Sequence, residues 1–243
     1  GLKENDMVEV GNIIADVLFA TTPYTIETRK GDVVRAKVDF NVLQDARLRV
    51  RKLAESAGKD TEPTNHGYPH YYYIDDIPAS KGDWAAYDIK GMDAREYVNI
   101  IFTSDVESLK PGEHQNTSIH TPKGTVEGVI SCVTPYHFVF HLPVKNAGLA
   151  ITWLRDLSDG YIAFDPDLKR RIPGPIHINE SNISPIIKST GQAVNEKKPY
   201  VVGGDHGNGT ALPEFKWQEE EQPLKRTGLY EIHKSKAFFD RRS

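Results

Sequence analysis

Histidines, one cysteine, a basic run, a glycine-rich stretch and a single aspartate are the residues whose type and spacing could do chemistry in this chain of 243 residues. His66 and His70 lie four apart, a zinc-ligand spacing only on a helix. Gly67 and Pro69 argue against a helix there, so a metal is not expected. His137 and His141 share one face of an alternating run with Val139, opposite Phe138 and Phe140. Two imidazoles on one strand face suit a metal or the polar side of a half-buried sheet, and the sheet is the expectation. Cys132 falls in a strand-like run and reads as a small buried hydrophobe, not a nucleophile. Arg47, Arg49, Arg51 and Lys52 crowd one predicted helix. Such a run is a solvated face or a seat for a string of carboxylates, and the solvated face is preferred. Residues 201–209, Val-Val-Gly-Gly-Asp-His-Gly-Asn-Gly, carry the glycines of a phosphate loop. No Lys-Ser/Thr follows and Pro213 stands where a helix should begin, so they read as linker. Asp105 ends an amphipathic segment and reads equally as a turn residue and as a site residue.

The elements that would position these groups follow from periodicity. Residues 84–91 form a strand ending in Lys-Gly, and 92–102 a helix with Ala94, Tyr97, Ile100 and Ile101 on its apolar face. Asp93 lies in its first turn, where the helix dipole favours a carboxylate. Leu109-Lys110-Pro111-Gly112 is a turn. Strands at 117–120 and 125–132 make a hairpin through Thr121-Pro122-Lys123-Gly124. A strand at 136–142 and a helix at 146–157 follow, the helix striped by Leu149, Trp153, Leu154 and Leu157. Ser158-Asp159-Gly160 stops it before further strands at 161–164 and near 176–178. Upstream, Asn5-Asp6 caps a helix carrying Met7, Val10, Ile13, Ile14, Val17 and Leu18, broken at Thr22-Pro23. A second helix is expected over 33–57.

This order predicts an α+β fold: an N-terminal helical segment, an antiparallel sheet with helices on one face, an extended linker and a short terminal helix. The chain divides into helices (1–60), a linker (61–80), the α+β module (81–180) and a linker with a terminal segment (181–243). The module core should hold Ile100, Ile101, Val129, Phe138 or Phe140, Trp153 and Leu154. The N-terminal stripe should stay partly uncovered, inviting a protein partner or self-association. Composition is ordinary for a globular protein, 38% hydrophobic and 26% charged, with a net charge of -4 that gives no sign of a nucleic-acid partner. One cysteine permits no internal disulfide and favours a reducing, cytoplasmic setting. No apolar run approaches membrane-spanning length, and no signal peptide is recognised, although Gly1 suggests an incomplete start.

Residues 84–159 resemble the aminomethyltransferase family, the T-protein of the glycine cleavage system. The likeness rests on a strand ending in Gly91, a helix, the Thr103-Ser104-Asp105-Val106 corner, Leu109-Lys110-Pro111-Gly112, the hairpin, and a Trp153-Leu154-Arg155 helix. Gly1-Leu2-Lys3-Glu4-Asn5-Asp6-Met7 leading into Ile13-Ile14-Ala15-Asp16-Val17-Leu18 resembles the C-terminal helices of serine hydroxymethyltransferase. Near the end, Leu224-Lys225-Arg226-Thr227-Gly228-Leu229-Tyr230-Glu231-Ile232-His233 resembles the opening of a second T-protein. Together these imply the middle of a fused one-carbon protein, cut at both ends.

The resemblance implies tetrahydrofolate as ligand, with Asp105, Gln115 and Asn116 in its pocket and a hairpin carboxylate handling charge and protons around its N5 and N10. In the family that carboxylate belongs to a Gly-x-x-(Ile/Leu)-Asp-Asp segment. The matching run here is Gly124-Thr125-Val126-Glu127-Gly128-Val129, which makes Glu127 the implied catalytic group and leaves Gly128 at the second acidic position. The family's Gln-Tyr-Thr/Ser becomes Gln115-Asn116-Thr117, without the aromatic wall. Pyridoxal phosphate would belong only to a missing upstream domain. The implied function is an aminomethyltransferase-like folate module, inactive alone. The alternative is a non-catalytic scaffold or docking module between hydroxymethyltransferase and aminomethyltransferase units.

Overall fold

The computed structural model describes residues 2–58, 73–78 and 82–186. The linker around His66 and His70, the glycines at 203–209 and the terminal segment lie outside them. The elements run α1 (Glu4–Phe19), β1 (Thr21–Thr28), β2 (Gly31–Val38), α2 (Phe40–Ser56), β3 (Trp84–Lys90) and α3 (Ala94–Ile101). Then come β4 (His114–Thr121), β5 (Gly124–Thr134), β6 (His137–Pro143), a 3-10 turn (Val144–Asn146), α4 (Ala147–Asp159) and β7 (His177–Glu180). Five strands make one sheet in the order β4-β5-β6-β3-β7, every neighbouring pair antiparallel. With α3 and α4 in one core on one face of this sheet, the fold is α+β.

The pleat sorts the sheet into two faces. Tyr87, Ile89, Ile119, Val126, Ile130, Phe138, Phe140, Leu142 and Ile178 point to the helices and are buried. Against them lie Tyr97, Val98 and Ile101 of α3 and Ala150, Trp153, Leu154 and Leu157 of α4, all buried. Phe102 and Phe140 meet edge-on at 4.9 Å, and the Tyr97 hydroxyl donates to the Leu154 carbonyl, joining α3 to α4. Of the expected core residues, Ile100, Ile101, both phenylalanines, Trp153 and Leu154 lie in this core, whereas Val129 is buried on the opposite face of the sheet.

The N-terminal third departs from its expected form. The segment at 33–38, taken into the second helix, is strand β2, paired with β1 from Thr21↔Val38 to Thr28↔Gly31. Its Val-Val-Arg-Ala-Lys-Val sequence satisfies a two-residue alternation as well as a helical spacing, and only the pairing with β1 decides. Helix α2 starts at Phe40 with Asp39 as cap, its carboxylate accepting from Val42 N at 3.1 Å. Thr22-Pro23 lies within β1, an edge strand where a missing N–H is tolerated. Helix α1 begins at Glu4, one residue before the expected cap, and the Asp6 carboxylate accepts from Lys3 N at 2.7 Å. The strand expected at 161–164 reduces to one parallel bridge, Val38↔Ile162.

Helix α2 is tied to the sheet's helical layer. Phe40 stands edge-on to Trp153 with centroids 4.8 Å apart, and Val38 and Phe40 belong to the same core as Trp153. Helix α1 packs on α2 with Ile13 buried, and its Val17 and the Ala20 cap pack against the main core. Its other apolar stripe is open: Met7, Ile14 and Leu18 are 55%, 55% and 67% exposed, and Phe19 is 91% exposed.

Candidate functional site

Alternation along β5 puts Glu127, Val129 and Ser131 on the face away from the helices. Register adds Asn116 and Ser118 from β4, His141 and Val139 from β6, and Ala86 and Asp88 from β3. Glu127 is opposite Ser118, and Asn116 is opposite Val129. Asn116 and Glu127 are therefore diagonal neighbours, about 7–8 Å apart. Both are exposed. The four residues implied as a site do not converge, however. Gln115 points to the helical face, where it is buried and its Nε2 donates to the Asp105 carbonyl at 2.7 Å. Its Oε1 takes no hydrogen bond among the described residues. The Asp105 carboxylate accepts from Glu107 N at 2.9 Å, so this aspartate builds the turn after α3. Asp105 and Gln115 are joined on one side of the sheet; Asn116 and Glu127 stand on the other.

The space at Gly128 explains why no second acid follows Glu127. A side chain at 128 would point to the core, and its Cβ would lie 2.3 Å from the His141 carbonyl oxygen and 2.6 Å from the Phe140 ring. Only glycine fits.

His137 and His141 do share a face with Val139, but their surroundings differ. His137 Nε2 pairs with Asp88 Oδ1 at 2.9 Å, and Lys90 donates to the same carboxylate. Burial pushes the Asp88 carboxyl up, while Lys90 and His137 outweigh it and hold it below its usual value. His141 is wholly buried, a correction to the open polar face expected there. Its Nδ1 accepts from Ile186 N at 3.2 Å and its Nε2 lies 2.9 Å from Ser131 Oγ. Burial, aided by His114, lowers it to about 4. The pair resembles a catalytic dyad, but the backbone donor at Nδ1 fixes the proton on Nε2. The imidazole therefore donates to Ser131 and has no lone pair to take its proton. Among the described residues, no three His, Cys, Asp or Glu side chains group as metal ligands.

The arginine run is neither a solvated face nor a free anion seat. Arg47 grips Asp156 of α4 with both terminal nitrogens, at 2.8 and 2.9 Å. Gln44 Nε2 and the Tyr161 hydroxyl add bonds at 2.7 and 3.1 Å to the same carboxylate. Burial pushes Asp156 up, and the guanidinium opposes this by favouring the ionised form. Arg49 reaches Glu9 and Asp16 of α1, at 2.7 and 2.6 Å. Arg51 pairs with Asp75 and Asp76 and lies 4.3 Å over the Tyr73 ring. Nothing local in the sequence marks Asp156, 109 residues from Arg47, as a partner.

Two other groups are structural. Cys132 is buried with Arg95 Nη2 at 3.5 Å from its sulfur, and burial raises its thiol. Lys37 is 1% exposed, donates to the Arg170 carbonyl at 2.6 Å and lies 4.5 Å over the Phe164 ring. Burial lowers its amine to about 8.

No family model matches the chain, and no curated protein matches it. Among solved structures, the crystal structure of glycine cleavage system aminomethyltransferase T from Bartonella henselae is similar with a TM-score of 0.33 and 13% identity. The match covers 41% of this chain and 24% of that one. A likeness at this level carries no functional argument. No described helix is long and apolar enough to cross a membrane.

Proposed function

We propose that the chain is a folate-binding module of one-carbon metabolism, related to the aminomethyltransferases and inactive as a transferase alone. The observation that carries this reading is the exposed diagonal pair of Glu127 and Asn116 on the sheet face away from the helices. Glu127 would meet the charged part of a tetrahydrofolate, and Asn116 would offer it an amide. Asp105 and Gln115 would support the corner from behind without touching ligand. A single glutamate and no aromatic wall leave little to orient a reacting group, and a lost proton-transfer group alone costs about a hundred- to ten-thousand-fold in rate.

Titration calorimetry of the full chain with tetrahydrofolate tests the reading. Weak binding that Glu127→Gln and Asn116→Ala each reduce several-fold is expected. Tetrahydrofolate-dependent release of ammonia from an aminomethylated carrier protein should be absent. Binding indifferent to both substitutions, or no binding at all, would overturn the site. Turnover abolished by Glu127→Gln would show the module to be an active enzyme.

A second reading, a docking module, is favoured by the uncovered stripe of α1. Its occupant is taken to be a second copy of the chain. Apart from Glu4 in the first turn, the outward positions Met7, Val8, Gly11, Asn12, Ile14, Ala15, Leu18 and Phe19 bear no charge to repel a like surface. Glu9 and Asp16 are held by Arg49. Nothing lies within 4 Å of a Cβ built at Gly11, leaving room for close helix approach. An antiparallel pair centred there would set Met7 against Ala15 and Val8 against Ile14. Sedimentation should show dimers that Ile14→Glu and Leu18→Glu dissolve; a monomer at all concentrations would exclude this occupant.

A further inference from the structure

Past β7 the chain turns over the edge of the sheet onto its polar face. Ser181 N donates to the Ala86 carbonyl at 2.8 Å, Ser181 Oγ accepts from Ile183 N at 3.1 Å, and Ile186 N donates to His141 Nδ1 at 3.2 Å. Ala86 and His141 are register partners on β3 and β6, so the two anchors straddle one rung of the sheet. Between them run Asn182, Ile183, Ser184 and Pro185, with no ionisable side chain. At the far anchor the bond described for this segment goes to a side chain, not to a strand backbone.

We propose that residues 181–186 are a proton-released strap, held across the sheet's polar face by neutral His141 and let go when that imidazole is protonated. The chemistry is forced by the bonds on the ring. Neutral His141 keeps its hydrogen on Nε2 toward Ser131 and its lone pair on Nδ1 toward Ile186. A second proton must enter at Nδ1, where it would confront the Ile186 N–H, donor against donor. The buried ring cannot rotate to escape without losing Ser131. Water can satisfy the imidazolium only if the strap leaves, and its departure uncovers the imidazole. The other ionisable groups on this face, among the described residues, are His114 and His120 of β4, Glu127 of β5, His137 of β6, Asp88 and Lys90 of β3 and His177 of β7. His114 opposes protonation of the ring, and the Asp88 carboxylate is already engaged by Lys90, His137 and the strap's own Ser181 side chain at the near anchor. The strap does not depend on what the open face binds.

Amide exchange followed by NMR on the full chain tests it, comparing the wild type with His141→Asn and His141→Leu. Asparagine keeps a side-chain acceptor near Nδ1 and does not titrate; leucine keeps neither property. In the wild type, protection of Ile186 N–H should fall about tenfold per pH unit as pH drops from about 6.5 toward 4, one proton being taken up on release. His141→Asn should hold its protection level across the window, and His141→Leu should show none at any pH. Core amides such as Ile89 and Ile130 should remain protected throughout. Equal protection of Ile186 in wild type and His141→Asn at every pH would overturn the strap. So would loss of core protection in step with Ile186, since His141 would then govern the whole fold. Should the leucine variant fail to fold, the wild-type and asparagine profiles decide between these outcomes.

Discussion

Gly128 and Lys37 are two residues whose chemistry is set by what surrounds them. Gly128→Ala drives a methyl into the His141 carbonyl and the Phe140 ring, a conflict that strand and ring must shift to relieve. Overpacking of this kind should cost about 1–3 kcal/mol, read as a lower urea midpoint at unchanged slope. Lys37 gives a pH signature. Its amine titrates at about 8 in the fold and 10.5 outside it. Between those values the unfolded chain binds a proton that the native chain does not, so stability rises as pH climbs from 8 to 10.5. The full change is on the order of 3 kcal/mol. Lys37→Met should erase this alkaline rise in denaturation experiments; a rise surviving in the variant would assign it to another group.

At the scale of elements, α2 carries the strongest expectation. Its Arg47 meets a carboxylate that is almost wholly enclosed, so removing the arginine strands a buried charge. Arg47→Met alone should cost about 3–5 kcal/mol, while Arg47→Met with Asp156→Leu should recover most of it. A denaturation cycle over the four proteins measures this, and additive losses would contradict the coupling. The same helix shows where the sequence was legible. The strands at β3 to β6 and helices α3 and α4 have enough residues at one period to declare themselves, and their buried faces match. The hairpin at 21–38 did not, because Thr, Arg and Lys alternate there with few apolar residues and Pro23 imitates a stop. The arginine run read as a solvated face because its partners come from α1, α4 and residues 75–76, none of them visible in a local window. The site was legible only residue by residue. Alternation separates Glu127 from Gly128 and Gln115 from Asn116 alike, but the strand was expected only from 117, and the extension of β4 back to His114 is what sends the second pair to opposite faces.

The whole molecule has an uneven distribution of order. The five-stranded sheet is covered by helices on one face, whereas β1 and β2 form a two-stranded sheet whose Val33 and Val34 are 42% and 71% exposed. Paired strands without a third are marginal in water. Backbone amides from Ile26 to Val34 should exchange orders of magnitude faster than those of Ile89 or Ile130 in dilute solution. Exchange at similar rates would mean that the hairpin has a cover of its own.

The edge contact between Phe40 and Trp153 bears on how the chain can be cut. A fragment beginning after residue 60 would keep the whole five-stranded sheet, yet it would uncover one side of the largest buried ring and leave Asp156 without its guanidinium. Excision at that apparent seam would deliver a module with a wound in its helical layer. The helix that precedes the seam is part of the material from which the module is made.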